Sequence, residues 1–435
     1  MIYVTKETYI PSVNETLGTL RMHNQMMPQF ADFDKVMMYI NYFQRYCTEI
    51  GKELFDYIGV PAKKEARPNM VAWLERNEDT SGFFMGKEGI SLSEESVAAA
   101  IEAGGLSPLA EELLDLYQRY SAPRRSKTTM LGLLQNPISD HPSCDGHRML
   151  MLRPEWHPQN TGRVAMRHPA IQNWPRELQD VLTVPLGYVL CHTDSGQIEP
   201  RLTYSNYVTD KQIVALINLY NDAYFGVLHY CTMPESDIVS GRVDFTPMEI
   251  TDELKSKRQG IKTHGNAVMY GSKSNVKNDP IKAAMIKRIG EHPSRLKLVE
   301  ERRQAIRRGE IIFRTAFGTP IDITKSPKLE GGRYESKEDQ MLKLAINNPI
   351  QGTAADLMRL SVYEANKILM NKTKKSFIIS YIHDAGCFAL HEDEIDKVKD
   401  EIGTVVSYQV DGWIPIHAEP EFGRNRKSGL IPDLY

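Results

Sequence analysis

Two aspartates are the residues of this sequence best suited to chemistry. Asp194 ends an apolar, strand-like run and is followed by a polar, turn-prone segment. Asp384 follows His383 between two runs of β-forming residues, which predicts a hairpin with this acid at its tip. Carboxylates are ligands that Mg²⁺ prefers, and a pair of them can hold the two ions used in phosphoryl transfer. If the two strands lie side by side, the sequence predicts a site for metal-assisted phosphoryl transfer.

A cationic stripe is the second feature with chemical potential. Arg258 and Lys262 are four residues apart, so a helix places both on one face, and Asn266 and Tyr270 continue the stripe. Two cations beside an aromatic ring suit a nucleoside triphosphate, because the cations bind phosphates and the ring lies near the base or sugar. The sequence contains no Gly-rich phosphate-binding loop of the known types. This helix is therefore predicted to bind the phosphates.

Composition and charge are those of a globular protein with an uneven surface. The chain has 435 residues, of which 41% are hydrophobic, enough for one large or two to three modest domains. No apolar run approaches the roughly 18 residues needed to span a bilayer, and the amino terminus lacks the features of a signal peptide, so we expect a cytoplasmic protein with no membrane partner. The five cysteines include no Cys-x-x-Cys pair, which argues against a zinc site. The net charge is −3, yet residues 255–308 are rich in Lys and Arg, a pattern compatible with a cleft that follows nucleic-acid phosphates.

Helical spacing and turn residues divide the chain into parts that must position these side chains. The predicted elements are, in chain order, helices over Phe30–Ile58 and Leu92–Tyr120, a basic Pro-containing junction over Ser121–Met130, short strands and loops to about residue 205, helices between about 210 and 370, the Asp384 hairpin, a helix around Glu394–Tyr408 and a strand over Pro415–Pro420.

Five motifs follow one another in a characteristic order. They are Thr161-Gly-Arg163 with Gln172-Asn173, Asp194-x-x-Gln197-Ile-Glu199, Arg258-x-x-x-Lys262 with Tyr270-Gly271, Ile346-Asn347 with Gln351-Gly-Thr-Ala-Ala-Asp356, and His383-Asp384. Together they resemble the motifs of family A DNA polymerases, the bacterial DNA polymerase I type, over nearly the whole chain. The resemblance implies an α+β fold of the right-hand polymerase type, with a helical thumb, a palm built on an antiparallel β-sheet and helical fingers. The implied domains are 1–125 for an N-terminal segment and thumb, 126–205 for the first part of the palm, 206–342 for the fingers and 343–435 for the second part of the palm.

The resemblance also implies site roles. Asp194, Asp384 and the backbone carbonyl of Ser195 would bind two Mg²⁺ ions, for which Mn²⁺ can substitute. Asp194, Asp384 and Lys262 form the catalytic set, in which Lys262 protonates the departing pyrophosphate. Glu199 would exclude a 2′-hydroxyl, the group that distinguishes RNA precursors from DNA precursors. The nucleotide-binding set is Arg258, Lys262, Tyr270, His229, Glu199, Asn266 and Gln197. The primer and template set is Arg163, Gln172, Asn173, Gly271, Lys343, Asn347, Gln351 and His383, with Arg124, Arg125 and Lys127 on duplex phosphates.

The function implied is template-directed addition of dNTPs to a primer 3′-hydroxyl, with primer–template DNA and dNTPs as partners. We expect a monomer without proofreading in this chain, since little of it precedes the thumb, and a separate processivity or exonuclease protein is compatible with that. Compact cores of this kind are common in phages and mobile elements, which is the origin we hypothesise. The sequence departs from the family at Ala385, where an acid is usual, at Asn266, where an aromatic residue is usual, and at Lys343, which replaces an Arg. Val227 stands where an Asp is expected two residues before His229.

Two other functions stay open at this point. A single-subunit RNA polymerase shares the Arg258 to Gly271 motif, and Lys273 and Ala385 resemble that branch, whereas Glu199 and the Gln351–Asp356 segment favour DNA synthesis. A polymerase-like DNA-binding module with weakened catalysis is the second alternative, and Ala385 is its best support.

Overall fold

The computed structural model describes residues 1–58, 66–86, 89–139, 148–242, 244–269, 280–325 and 336–424. Contacts divide the chain into two compact units. The first unit comprises Met1–Met27, Trp156–Met166 and Tyr188–Gly423, and the second contains Pro28–Glu155 and Arg167–Gly187. The segment 126–205, expected to be the first part of the palm, contributes to both units. The four predicted domains stay a prediction.

Helices make up most of the described structure. Their bounds are α1 Val13–Met26, α2 Phe33–Ile58, α3 Ala66–Asn77, α4 Glu94–Glu102, α5 Pro108–Leu133, α6 Ile198–Leu202, α7 Lys211–Tyr220, α8 Ala223–Thr232, α9 Glu235–Ser240, α10 Asp252–Met269, α11 Pro280–Met285, α12 Pro293–Arg307, α13 Lys337–Lys372 and α14 Ile395–Gly403. Short 3₁₀ turns lie at Thr80–Gly82, Ile171–Asn173, Arg176–Val181 and Ile323–Lys325, and π-helical turns lie at Thr203–Tyr207 and Ile286–Gly290. Among the described residues, none of these helices combines the length and the apolar character that crossing a bilayer requires.

Strands form small sheets within each unit. Their bounds are β1 Ile2–Val4, β2 Gln29–Asp32, β3 Met85–Gly86, β4 Gly89–Ile90, β5 Ile138–Ser139, β6 Met149–Leu152, β7 Glu155–Pro158, β8 Val164–Arg167, β9 Leu182–Thr183, β10 Tyr188–Ser195, β11 Ile312–Arg314, β12 Pro320–Asp322, β13 Phe377–Ile382, β14 Ala385–His391, β15 Tyr408–Val410 and β16 Ala418–Gly423. The sheet orders are β13-β14-β10-β16 in the first unit and β5-β6-β2-β9 in the second, with the further pairs β1-β15, β3-β4, β7-β8 and β11-β12.

The second unit is built on a helical core in which α2 packs against α5. Buried apolar side chains of both helices, including Leu54, Phe55, Leu113 and Leu114, form one cluster with residues of α3 and α4. The expected helix over Leu92–Tyr120 is instead two helices, α4 and α5. The break has a local cause: Gly104 takes a left-handed φ of 72°, and Ser107 then caps α5, accepting a hydrogen bond from the N–H of Ala110 at 3.2 Å.

The basic junction predicted over Ser121–Met130 is wrong, because this segment continues α5. Pro123 lies inside the helix. A proline inside a helix removes one backbone hydrogen bond and usually kinks the helix. The apolar residues on either side of it, Tyr120 and Met130, are both buried, so packing maintains the helix where local propensity would end it.

The first unit is built around the antiparallel sheet β13-β14-β10-β16. The predicted Asp384 hairpin is confirmed as β13 and β14, with Ile382 opposite Ala385. The helix expected around Glu394–Tyr408 is the shorter α14, and the last strand, β16, overlaps the expected segment but begins later, at Ala418. A separate apolar core joins α7, α8 and α10 in this unit. Gly226 of α8 is needed there, because a Cβ at this position would lie 2.7 Å from backbone atoms of Ile217.

A buried ion pair fixes the long helix α13 within the first unit. Arg359 pairs with Asp356 one turn earlier, and both side chains are almost fully buried. The guanidinium also donates to the carbonyl oxygens of Pro11 at 2.7 Å and Gly162 at 3.1 Å. Asp356 accepts from the hydroxyl of Thr315, in the loop that joins β11 and β12. Each of the two charges thus has an oppositely charged partner and further hydrogen bonds. The network ties α13 to the segments that contain Pro11, Gly162 and Thr315, which are remote in sequence.

Candidate active site

The ends of β10 and β14 bring the two candidate aspartates together. In the antiparallel register Asp194 is opposite Ala385, the residue directly after Asp384. Directly opposed residues have Cα atoms about 4.5–5.5 Å apart. The N–H of Ser195 donates to the backbone carbonyl of Asp384 at 2.9 Å, which fixes the two chain segments against each other. Both aspartate side chains are half-buried.

A two-residue turn presents Asp384. Because Ile382 pairs with Ala385, only His383 and Asp384 form the turn, and His383 has a left-handed φ of 55°. Burial raises the pKa of the Asp384 carboxyl, the nearby charge of Glu199 adds to this, and Arg163 and His383 act in the opposite direction. Burial and the charge of Glu199 therefore both disfavour the ionised form of Asp384.

Arg163 and Glu199 form an ion pair close to Asp384. Glu199 lies in the first turn of α6, directly after β10, and its carboxylate accepts from a terminal nitrogen of Arg163. The Nε atom of Arg163 is buried and has no hydrogen-bond partner among the described residues. The structure thus pairs Glu199, the expected sugar gate, with Arg163, an expected primer contact. The sequence did not predict this ion pair.

Arg258 of α10 is held by an acid that the sequence analysis missed. Its Nη2 and Nε atoms donate to Oδ2 of Asp222 at 2.6 and 3.1 Å. The rings of Tyr224 and Phe225 lie 5.2 and 5.3 Å from the guanidinium carbon, within the range of cation–π attraction. Burial raises the pKa of the Tyr224 hydroxyl, and the charges of Glu199 and Asp384 act in the same direction. Tyr224 is therefore electrostatically coupled to both the cationic helix and the acids.

Gln197 also contacts Asp222. It has a left-handed φ of 57° just after β10, donates to Oδ2 of Asp222 at 2.6 Å and accepts from the N–H of Ala223 at 2.5 Å. The only sequence signal for this arrangement is an Asp immediately before an apolar helical run, which is the pattern of a helix N-cap. Such a pattern predicts the cap of α8 and says nothing about Arg258.

The remaining residues of the cationic stripe are described in part. Lys262 lies on α10 one turn after Arg258 and is exposed. The side chain of Asn266, and Tyr270 and Gly271 as a whole, lie outside the described residues, so their predicted nucleotide and template contacts stay predictions.

His229, a member of the predicted nucleotide-binding set, lies on α8. It is 6% exposed in the core of α7, α8 and α10, and its Nδ1 is 2.9 Å from the hydroxyl of Tyr220. Burial lowers the pKa of its imidazole, so the neutral form is favoured. Its predicted contact with the triphosphate stays a prediction.

Three expected template contacts form a stripe on α13. Lys343, Asn347 and Gln351 are spaced four residues apart and are partly exposed, whereas most residues around them are buried. The side-chain oxygen of Asn347 is buried without a hydrogen-bond partner among the described residues. A buried acceptor of this kind calls for a further ligand or water.

Several expected DNA contacts belong to the second unit. Gln172 and Asn173 lie on the 3₁₀ turn Ile171–Asn173. Arg124, Arg125 and Lys127 lie on α5, where Lys127 donates to Gln44 at 2.9 Å. Their contacts with DNA stay predictions.

The carboxylates of Asp194 and Asp384 suit a hard divalent cation. Mg²⁺ is usually bound by one or two carboxylates together with waters and substrate phosphates, rather than by an all-protein cage. In the part of the chain that the structure describes, no group of three or more His, Cys, Asp or Glu side chains gathers into such a cage. Asp194 and Asp384 therefore fit Mg²⁺ if the nucleotide and water supply the other ligands, and Ala385 adds no third carboxylate.

The architecture has a counterpart among solved structures, which shows the fold class. The POL domain of Pol1 from M. smegmatis, solved in complex with DNA primer-template and dNTP, superimposes with a TM-score of 0.74 and 18% sequence identity. The match covers 95% of this chain and 69% of that chain. It confirms the predicted fold class, an α+β fold of the right-hand polymerase type.

Sequence comparison identifies the family. The model of DNA polymerase family A matches residues 87–428, well over half of the chain. This chain belongs to DNA polymerase family A, as the five motifs predicted.

Two curated relatives are bacterial. DNA polymerase I of Pseudomonas aeruginosa is 24% identical over 279 residues, which is 61% of this chain and 28% of that protein. DNA polymerase I of Chloroflexus aurantiacus is 23% identical over 344 residues, which is 75% of this chain and 34% of that protein. The chain thus spans about a third of the length of these relatives.

Proposed function

We propose that this chain is a template-directed DNA polymerase that adds dNTPs to a primer 3′-hydroxyl by a two-metal mechanism. The observation that carries the proposal is the register of β10 and β14, which brings Asp194 next to the Asp384 turn. The cationic helix α10, with Arg258 and Lys262, belongs to the same compact unit. Membership of family A supports the same activity.

The motif residues divide the proposed reaction among them. Two Mg²⁺ ions, when bound, would neutralise phosphate charge and lower the pKa of the attacking hydroxyl. Asp194 and Asp384 would hold them, Arg258 would bind and orient the triphosphate, and Lys262 would protonate the departing pyrophosphate. Phosphoryl transfer asks little covalent chemistry of the protein, so positioning and electrostatics would supply the catalysis.

Two buried polar atoms support a nucleic-acid partner. Arg163 Nε and Asn347 Oδ1 both lack a hydrogen-bond partner among the described residues. A buried polar atom left unpaired costs about 1–3 kcal/mol. Primer or template atoms that supply the missing partners would recover this free energy on binding, which is consistent with the primer and template roles proposed for both residues.

The proposal extends to the setting of the reaction. The protein would act as a monomer in the cytoplasm on primer–template DNA, with Mg²⁺ as its ion and Mn²⁺ able to substitute for it. A separate processivity or exonuclease protein would complement it. Size-exclusion chromatography with light scattering tests the monomer, and extension with each metal tests the exchange.

Primer extension on a defined template tests the activity. The pure protein receives Mg²⁺ and either the four dNTPs or the four NTPs, with Asp384→Asn protein purified in parallel. We expect extension by dNTPs only, and none by the Asp384→Asn protein. Preferential use of NTPs would instead indicate an RNA polymerase. DNA binding without extension would indicate a binding module, and equal extension by both proteins would mean that the activity came from a contaminant.

A further inference from the structure

Asp222 lies between the strand that carries Asp194 and the helix that carries Arg258. It is the N-cap of α8, and its Oδ1 accepts from the N–H of Phe225 at 2.8 Å. Its Oδ2 accepts from Gln197, three residues after Asp194, and from two nitrogens of Arg258. One carboxylate thus joins the end of β10, the start of α8 and the middle of α10.

The contacts of Arg258 fix both the position and the plane of its guanidinium. Asp222 engages Nε and Nη2, which defines the direction of the side chain within the plane. The rings of Tyr224 and Phe225 lie close to the guanidinium carbon and limit its tilt. The side chains of Arg258 and Asp222 are 25% and 17% exposed, so solvent screens the pair only in part.

We propose that Asp222 is a positioning residue that aims Arg258 at the nucleotide triphosphate, an inference that rests on the proposed function. Asp222 uses the Nε and Nη2 edge of the guanidinium, and the Nη1 end is the part that this carboxylate does not engage. An arginine held in this way reaches the phosphates with most of its side-chain rotamers already excluded, so less conformational entropy is lost when nucleotide binds.

The carboxylate itself is stably charged. Burial alone would raise the pKa of Asp222, but hydrogen bonds from Arg258, Phe225 and Gln197 hold it below its ordinary value. Asp222 is therefore ionised at neutral pH, where the orienting ion pair is required.

Substitution of Asp222 by Asn tests the proposal with little change of shape. Asn is a good N-cap, so α8 keeps its first hydrogen bond while the charge that orients Arg258 is lost. Charge-assisted hydrogen bonds contribute roughly 1.5–3 kcal/mol, which corresponds to about a ten- to hundredfold increase in the Kd for dNTP. We expect this increase in single-turnover primer extension, with the maximal rate changed by less than about threefold and the Kd for primer–template unchanged.

Asp210→Asn is the matched control. Asp210 caps α7 through Oδ1, accepting from the N–H groups of Gln212 at 2.7 Å and Ile213 at 3.0 Å. Its Oδ2 lies 3.0 Å from Nε2 of His292 rather than near a cation of α10. The control variant loses the same charge at the same type of helix end, and we expect it to bind dNTP like the parent protein.

A double-mutant cycle separates positioning from general stability. In an Arg258→Gln background, Asp222→Asn should weaken dNTP binding by less than about twofold, because the residue that it orients is gone. Additive effects of the two substitutions would overturn the proposal, and so would unchanged dNTP binding by the single variant. Tighter binding would overturn it as well, because it would mean that Asp222 competes with the triphosphate for Arg258. Should Asp222→Asn fail to fold, Asp222→Glu, which keeps the charge, is put through the same cycle. Parent protein that extends no primer would instead refute the proposed function.

Discussion

The two ends of the candidate site are held by different kinds of interaction. At the sheet end of the site, where β10 ends and β14 begins, backbone hydrogen bonds and strand register fix Asp194 and Asp384. The turn between β13 and β14 has only two residues. At the helical end, Arg258 is fixed by side chains, chiefly the carboxylate of Asp222. The sheet end of the site, with Asp194 and Asp384, therefore depends on main-chain geometry, which most substitutions leave intact. The helical end depends on individual side chains, so single substitutions should change how Arg258 is held.

The largest expected effect on activity comes from substitution of Asp384, at the sheet end of the site. Asp384→Asn keeps the turn but removes the charge that metal binding requires, and we expect a loss of single-turnover rate of at least about 10²–10³-fold. Binding of primer–template should change little, because the sheet is unaltered. Asp393→Asn, at an exposed acid in the turn between β14 and α14 that pairs with Lys375, is the control and should retain full activity. Near-parental activity of Asp384→Asn would remove this residue from the catalytic set, provided that a mock purification from the same host shows no contaminating polymerase.

Packing of the helical end gives the second largest effect. Gly226→Ala places a methyl group 2.7 Å from backbone atoms of Ile217, so α7 and α8 must separate. Overpacking of this kind costs about 2–3 kcal/mol of unfolding free energy, which chemical denaturation can measure.

The control glycine for this experiment lies on the surface. Nothing lies within 4 Å of a Cβ added at Gly18 of α1, so Gly18→Ala should stabilise the protein by about 0.5–1 kcal/mol. If both variants had the same stability, the close approach of α7 and α8 would not be required.

Glu199, the proposed sugar gate, acts electrostatically on both Asp384 and Tyr224, and the expected effect of replacing it is smaller. Glu199→Ala opens space under the sugar and should reduce discrimination against NTPs by about tenfold, measured as the ratio of kcat/KM for dNTP and NTP. The same change leaves Arg163 without its acidic partner, so Glu199→Gln is needed as a control of similar volume. If the gate is steric, the Gln variant keeps the discrimination that the Ala variant loses. Loss in both variants would assign the effect to the ion pair with Arg163.

The smallest expected effect is the pH dependence of the helical end. The pKa of Asp222 is lower in the folded protein than its ordinary value. A group of this kind stabilises the fold fully above its unfolded pKa, near 4, and loses this contribution as the pH falls through its folded pKa. The unfolding free energies of the parent and Asp222→Asn proteins should therefore differ by about 1–2 kcal/mol at pH 7 and converge below about pH 4. A difference that stays constant down to pH 3 would contradict this role of the ion pair.

Local patterns predicted the sheet end of the site well. The Asp384 hairpin was predictable because two β-rich runs flank a two-residue turn, so strand and turn signals agree within one short segment. Helix α2 was predicted three residues too long at its start, because residues 29–32 pair as β2 with β6 and β9 and are removed from the helix by contacts remote in sequence.

The helical end was predicted less completely. Helical spacing indicated that Arg258 and Lys262 share a face, but the acid that holds Arg258 lies 36 residues earlier, and the two meet only after α8 and α10 have packed together. The burial of His229 was not predicted either. Its motif position indicated a phosphate contact, which stays a prediction, and the structure shows this side chain of α8 to be 6% exposed.

The hydrogen-bond network around Arg359 restricts which substitutions this sequence can accept during evolution. One guanidinium serves the carboxylate of Asp356 and the carbonyls of Pro11 and Gly162, and Lys has neither the reach nor the planar fork to satisfy all of them. Loss of either charge alone would leave the other buried and uncompensated, at a cost of about 3–5 kcal/mol. An uncharged residue is therefore tolerated at position 356 or 359 only if the other position loses its charge as well. In any lineage descended from this chain, the two positions should change as a pair or stay fixed.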